Sequence, residues 1–154
     1  VIQNALFSAI PIKGKLSSLT MPWATYTDPE IAHVGLYEHE AKERGIEIDT
    51  YEVKMSQVDR ALAEGDDEGF VKIHTKKGSD EILGSTIVSR HAGEMISEIS
   101  VALVNKIGLG KIASVIHPYP TQAEAIKKAA DAYNRTKLTE GKKKILTKIF
   151  AALR

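Results

Sequence analysis

The chain has 154 residues, of which 43% are hydrophobic and 27% charged, and this composition predicts one globular domain with a hydrophobic core. A formal net charge of +1 argues against nucleic-acid binding, because phosphate neutralisation needs clustered Lys and Arg beyond those balanced by acids. There is no cysteine, which excludes disulfides and thiolate chemistry within the chain. Because the sequence also lacks a bilayer-length apolar run and the residue order of a signal peptide, we expect a cytoplasmic protein.

The first elements along the chain are a tail and two short strands. Residues 1–20 pass from an apolar segment to Pro11, Gly14 and a Ser/Thr stretch, which predicts a linker arriving from another domain. Residues 23–27, "WATYT", alternate as a strand does, and an apolar run over residues 31–36 follows an Asp-Pro turn. These patterns predict two strands with a bend between them.

The middle of the chain predicts a helix followed by three strands. A short exposed helix is predicted over residues 38–44, because Gly45 is a favourable C-terminal stop. Residues 46–53 alternate in polarity, and residues 69–89 indicate two further strands joined by a polar turn. The acidic segment 57–69 predicts a helical turn and a solvent loop, and it lacks the ligand pattern of a calcium loop.

The last third predicts three helices, over residues 94–106, 122–135 and 139–153. The first of these helices carries its apolar side chains on one side: Met95, Ile99, Ala102 and Leu103. A block of strands followed by helices predicts an α+β fold in which an antiparallel sheet packs against helices. We assign residues 21–136 to this domain.

Residues 137–154 are predicted to form a separate basic amphipathic helix. Its apolar side is Ile145, Leu146, Ile149, Phe150 and Leu153, with four lysines nearby. Such a helix suits an anionic membrane or a partner groove, whereas packing on a domain of the same polypeptide is the simpler interpretation.

The remaining histidines give no sign of a metal site. His33, His39 and His74 are scattered without the spacing of metal ligands. His91 precedes a helix in which Glu94 would suit the positive end of the dipole, so capping explains this pair better than catalysis.

The stretch "HPYPTQAEAI" offers a second kind of site. Pro118 and Pro120 fix their own backbone angles and bias the residue before each away from the helical region, and each X-Pro bond is a cis candidate. Thr121 and Glu124 match the capping box of a helix N-terminus. A rigid start to a helix explains these residues, while Tyr119 leaves the alternative of a reactive site open.

Three motifs together carry a resemblance to a known family. "TYTDPEIAHVGL", "HAGEMISEISVAL" and "HPYPTQAEAIKKA", in this order, resemble the C-terminal dimerisation domain of the pyridine nucleotide-disulfide oxidoreductases over about residues 22–135. The resemblance implies a homodimer whose FAD and NAD(P)H domains lie on the same polypeptide, with residues 1–20 as the exit from the FAD domain. It also implies that this segment alone is not catalytic and holds no cofactor.

The same resemblance implies the roles of individual residues. In the family, the loop before the last helix reaches across the dimer and completes the partner's active site, often as His-Pro-Thr-x-x-Glu. Matching this motif implies that Tyr119 and Glu124 are catalytic in the complete enzyme. It further implies that His117, Pro118, Tyr119 and Pro120 lie near the partner subunit's FAD.

Tyrosine at the histidine position narrows the expected activity. A phenol, with a pKa of about 10, is a poor base at neutral pH, which argues against lipoamide or glutathione turnover. Mercuric reductases also carry tyrosine here but end in a cysteine pair, whereas this chain ends "IFAALR". We therefore expect a mercuric-reductase-like, FAD-dependent NAD(P)H oxidoreductase of unknown acceptor. The alternative is a stand-alone protein- or membrane-binding module on the same fold.

Overall fold

The computed structural model describes residue 15, residues 19–139, and residues 141, 143, 147 and 149–151. The strands in this part of the chain are β1 (Trp23–Thr25), β2 (Glu30–Gly35), β3 (Ile48–Lys54), β4 (Phe70–Lys76) and β5 (Ile82–Ser89). The α-helices are α1 (Glu38–Glu43), α2 (Asp59–Glu64), α3 (Ala92–Val104), α4 (Leu109–Ile112) and α5 (Glu124–Thr136), and a 3-10 turn spans Met55–Gln57.

The five strands form one antiparallel sheet in the order β1-β2-β5-β4-β3. Strands β3, β4 and β5 follow one another in the chain and pair in that order, as the period-2 patterns predicted. A short turn over residues 77–81 joins β4 to β5, whereas residues 55–69, with the 3-10 turn and α2, lie between β3 and β4. Strand β2 pairs with β5, with Ala32 opposite Ile87, and this long-range pairing brings the N-terminal strands onto the sheet. The predicted α+β class is therefore confirmed.

The core lies between one face of the sheet and helices α3 and α5. Val71, Ile73 and Ile87 point to this face at alternate strand positions and are fully buried. Helix α3 packs on β2 and β5, and α5 packs on β3 and β4. Met95 and Ile99, two residues of the predicted apolar side of α3, are buried there, which confirms that prediction.

The other face of the sheet is built from polar cross-strand pairs. His33 lies opposite Thr86 and bonds to its hydroxyl through Nδ1 at 2.9 Å. His74 lies opposite Thr50, and its Nδ1 bonds to that hydroxyl at 2.9 Å. Tyr37 stacks on the His33 ring with centroids 3.6 Å apart. Both histidines are buried, although they lie outside the main core.

The helix boundaries differ from the sequence-based prediction by a few residues. Helix α3 begins and ends two residues earlier than predicted, α5 begins two residues later, and α1 ends at Glu43. The short helix α4 and the 3-10 turn were not predicted, because segments of three or four residues show no helical periodicity. Gly45, with φ of 66°, follows α1 as the predicted stop.

The predicted capping box at Thr121 and Glu124 is wrong. Helix α5 begins at Glu124, and its N-cap residue Ala123 makes no side-chain cap hydrogen bond. The Thr121 hydroxyl instead donates to the carbonyl of Pro118 at 2.8 Å. The box fails because residues 121–123 form a turn, so Thr121 lies too far ahead of the helix to cap it.

A side chain from strand β2 caps the N-terminus of helix α3. The Glu30 carboxylate accepts a hydrogen bond from the Gly93 N–H at 2.9 Å, and the His91 side chain makes no cap bond. His91 thus occupies the N-cap position, as predicted, but the side chain that caps the helix is that of Glu30 in β2. Glu94 lies in the first turn of α3, as predicted.

Two sequence predictions concern residues that the structure describes only in small part. The tail over residues 1–20 lies outside the described residues except for residues 15, 19 and 20. Of the predicted helix over residues 139–153, residue 139 is described and is not helical, whereas the described residues 141, 143, 147 and 149–151 are helical. Among the described residues, no helix is long and apolar enough to cross a bilayer.

Candidate functional site

The proline-framed stretch lies in the loop between α4 and α5, on the surface. The Tyr119-Pro120 peptide bond is cis, one of the two candidates in this stretch. Tyr119 is 70% exposed and Ile116, three positions earlier, is 93% exposed. Two large side chains this exposed on one loop are typical of a contact surface.

His117 fixes the loop to helix α3. Its side chain is only 6% exposed, its Nε2 lies 3.0 Å from Oε1 of Glu98, and its Nδ1 lies 3.2 Å from the carbonyl oxygen of Val115. Both partner atoms are hydrogen-bond acceptors, so each contact needs an N–H on the ring nitrogen that makes it. The ring of His117 therefore faces its own chain, and Tyr119 is the side chain that the loop presents outward.

The Tyr119 hydroxyl has a partner on a distant part of the chain. It donates to Oδ2 of Asp59, the first residue of α2, at 2.8 Å. This hydrogen bond and the negative charge of Asp59 raise the pKa of Tyr119 above its ordinary value. The phenol is thus neutral at physiological pH and cannot serve as the base that histidine provides.

Glu124 does not contact Tyr119 through a hydrogen bond. Its Oε1 lies 3.4 Å from Nζ of Lys128, one turn along α5. Its Oε2 is buried and has no hydrogen-bond partner among the described residues, which is uncommon for a carboxylate oxygen. The structure therefore places the two predicted catalytic residues in the same region without joining them.

Further contacts tie the start of α5 to the α2 segment. The side chain of Gln122 is buried and donates to Oε2 of Glu64 at 3.1 Å. Glu64 in turn pairs with Arg60, and this contact with the guanidinium lowers the pKa of the Glu64 carboxyl. Lys128 donates to the carbonyl of Gln57. Segment 57–64 therefore braces the loop and α5 together.

An apolar groove of about 480 Å³ runs beside the loop. Its walls are mostly aliphatic and come from α3, α4 and the loop: Val101, Ile107, Ile112, Val115, Ile116 and Pro118. Val101 is 58% exposed and Val115 is 51% exposed. We call these six groove residues, together with the exposed Val104 on α3, the apolar surface.

The groove and the described residues around it show no local feature of a dinucleotide or metal site. The walls of the groove include no glycine-rich turn whose N–H groups could cradle the phosphates of a dinucleotide. Among the described residues, no three His, Asp or Glu side chains are arranged to hold a metal ion.

The sheet, the helices on its one face and the exposed loop beside an apolar groove define a domain built to meet another protein surface. Residues 21–130 match the family model described as "Pyridine nucleotide-disulphide oxidoreductase, dimerisation domain". The chain belongs to this family. The resemblance carried by the three sequence motifs is therefore confirmed.

Curated relatives include two classes of flavoenzyme. The chain is 36% identical over 122 residues to mercuric reductase from Shewanella putrefaciens, covering 79% of this chain and 22% of that protein. It is 42% identical over 112 residues to mitochondrial dihydrolipoyl dehydrogenase from Pisum sativum, covering 73% of this chain and 22% of that protein. The chain thus spans about a fifth of the length of these relatives.

Solved structures agree on the fold. LpdA from Mycobacterium tuberculosis superposes with a TM-score of 0.74 at 25% identity, over 86% of this chain and 28% of that chain. The HOCl-induced flavoprotein disulfide reductase RclA from Escherichia coli superposes with a TM-score of 0.76 at 18% identity, over 85% of this chain and 30% of that chain. The second likeness concerns the fold alone.

Sequence reasoning missed the two carboxylates that hold the loop, Asp59 and Glu98. Asp59 lies in an acidic stretch that was interpreted as a helical turn and solvent loop, and Glu98 lies on a helix among other polar residues. Neither forms a local motif with the loop, because each contact joins residues that are distant in sequence. Only the folded chain brings them together.

Proposed function

We propose that this domain pairs with a second copy through the apolar surface and completes the partner subunit's active site in an FAD- and NAD(P)H-dependent oxidoreductase. The observation that carries the proposal is the position of Tyr119, exposed at the edge of the apolar surface on a loop fixed from both sides. Pairing across this surface would bring the loop of each copy toward the other.

The apolar surface supports pairing on energetic grounds. Val101, Val104, Val115 and Ile116 are each more than half exposed, and water contact at such side chains is unfavourable. A twofold interface uses the same surface on both copies, so each buried side chain counts twice. A surface of this kind suits a permanent dimer of identical chains.

The chemistry of the Tyr119 phenol limits the roles that the loop can have in a reaction. A neutral phenol with a raised pKa can take part in hydrogen bonds but does not remove protons at neutral pH. FAD and NAD(P)H supply electron transfer in members of the family, and here both would be held by other domains of the complete polypeptide. The acceptor is a group whose reduction needs orientation by a phenol rather than an imidazole base.

Sedimentation equilibrium of the 154-residue chain tests the pairing. We expect a dimer, and we expect Val101→Glu to shift the equilibrium to monomer, because the charge would have to be buried in the interface. Leu62→Glu is the matched control, since Leu62 is also exposed, at 52%, but lies on α2 outside the groove. A chain that stays monomeric at all concentrations and binds anionic vesicles would favour the alternative of a stand-alone module.

Mixed dimers of the complete flavoenzyme test the sharing of the active site. One subunit carries Tyr119→Phe. The other keeps Tyr119 but lacks the redox-active cysteine pair that members of the family carry near the flavin, in the FAD domain. If Tyr119 acts across the dimer, the one site that retains cysteines turns over at the normal rate per site. If Tyr119 acts within its own subunit, that site is slowed to the rate of the Tyr119→Phe homodimer, and the proposal of sharing fails.

A further inference from the structure

Tyr119 combines high exposure with a fixed hydroxyl. A tyrosine that is 70% exposed usually satisfies its hydroxyl with water, yet this one donates to Asp59 at 2.8 Å across 60 positions of sequence. A charged acceptor makes this the strong kind of hydrogen bond. The direction of the O–H is therefore set by the chain itself.

Both ends of the Tyr119 side chain are held. Pro118 and Pro120 restrict the backbone on either side of it. Asp59 follows Val58, which is fully buried, and precedes the fully buried Ala61, so the acceptor lies on an anchored segment. The ring is thereby positioned before any partner arrives, which lowers the entropy lost on docking.

We propose that Asp59 is the positioning residue of Tyr119: it turns the phenol O–H back onto its own chain, so that the tyrosine presents its ring and its oxygen lone pairs outward. The inference rests on the proposed function, since it concerns the group that this loop offers to a partner subunit. It assigns a role to a residue that lies outside the sequence motifs by which the family is identified.

This arrangement gives Tyr119 a defined chemistry. With its proton engaged by Asp59, the phenol oxygen can accept a hydrogen bond from a partner's donor but cannot donate to a partner's acceptor. The raised pKa, caused first by the hydrogen bond to Asp59, keeps the phenol protonated. The loop therefore favours a surface or substrate that offers a hydrogen-bond donor next to an apolar contact for the ring.

Glu124 provides a comparison within the same site. Its negative charge also raises the pKa of Tyr119, but as the weakest of the contributing causes, and it makes no hydrogen bond to the hydroxyl. Glu124 therefore shows what a nearby carboxylate does to Tyr119 without a hydrogen bond to its hydroxyl. If Asp59 positions the hydroxyl, its removal must have the larger effect.

An NMR titration measures the pKa of Tyr119 directly. The chain carries an isotope label at the Cζ carbon of its tyrosines, because the chemical shift of Cζ follows ionisation of each phenol. The five tyrosines give five signals, and Tyr119→Phe identifies the one of interest. We expect Asp59→Asn to lower the pKa of Tyr119 toward its ordinary value, and Asp59→Glu to restore much of the shift. Glu124→Gln should lower it less, and Asp66→Asn, whose carboxylate pairs with Arg90, should leave it unchanged.

The proposal is overturned if Asp59→Asn leaves the Tyr119 titration unchanged, or if Glu124→Gln changes it as much. Retained signals of Tyr51 and Tyr133, whose rings pack edge to face at 5.6 Å, show that a variant is still folded. The Asp59 bond lies within one chain, so the titration gives its answer in a monomer as well as a dimer. Failure of the pairing experiment would therefore refute the proposed function without deciding this inference.

Discussion

The same substitution should affect two different quantities at two isoleucines that lie four positions apart: stability of the fold at one and affinity of the dimer at the other. Ile112 ends α4 and is 3% exposed in the core, whereas Ile116 lies on the following loop and is 93% exposed. Replacing each by alanine removes the same three carbon atoms. The pair therefore separates stabilisation of the fold from stabilisation of the dimer.

The expected magnitudes follow from these two environments. Ile112→Ala should lower the free energy of unfolding by about 2–5 kcal/mol, because it leaves a cavity in a packed core. Ile116→Ala should leave the monomer's free energy of unfolding within about 0.5 kcal/mol of the unsubstituted chain. At about 0.8 kcal/mol for each of the three carbons, counted in both copies, it should cost the dimer about 5 kcal/mol, or about three-thousandfold in Kd.

Two measurements at different concentrations make the distinction. Urea unfolding is followed where the chain is monomeric, since dimerisation would otherwise make stability depend on concentration. The dimer Kd is then measured by sedimentation or by dilution of fluorescently labelled chain. We expect Ile116→Ala to change only the second quantity. Ile112 also lines the groove but is 3% exposed, so Ile112→Ala should change chiefly the first.

The reasoning would be refuted by either of two results for Ile116→Ala. An unchanged dimer Kd would mean that the apolar surface does not form the interface. A loss of monomer stability equal to that of Ile112→Ala would mean that Ile116 is packed within its own chain, contrary to its exposure. A double variant whose effects on the two quantities are independent would support the separation.

Three further outcomes follow from the fold. Gly69→Ala should cost well over the 1–3 kcal/mol of a strained backbone alone, because φ is +104° and the new Cβ would lie 2.0 Å from the Val88 carbonyl oxygen; Gly45→Ala, with positive φ but open space, is the control in urea unfolding. Stability should fall as pH drops below about 6.5, because burial lowers the pKa of His33 and of His74, so the unfolded chain binds protons that the fold excludes. His33→Gln with His74→Gln should flatten this slope in unfolding experiments at pH 7.5 and 5.5, whereas the exposed His39→Gln should not; an equal slope in both would contradict the assignment. In the complete flavoenzyme, Tyr119→Phe should slow reduction of the acceptor while FAD content stays constant, and unaltered turnover would assign the tyrosine to packing.

The sequence by itself determined the local elements. Alternation over residues 46–53 and 69–89 placed three strands correctly, because a sheet with one face on the core repeats its burial every second residue. The side of α3 that carries Met95 and Ile99 was also predictable, since helical spacing puts them on one face. The three motifs were sufficient to indicate the family that the model match confirms.

Only the tertiary structure decided which side chains hold the site. The capping box at Thr121 was a sound local pattern, but the turn over residues 121–123 placed the helix start beyond its reach. Asp59 meets Tyr119 and Glu98 meets His117 because separate elements converge around the loop. Local patterns follow from backbone geometry and burial, whereas a contact between distant residues depends on how whole elements pack, and periodicity in one segment carries no information about that arrangement.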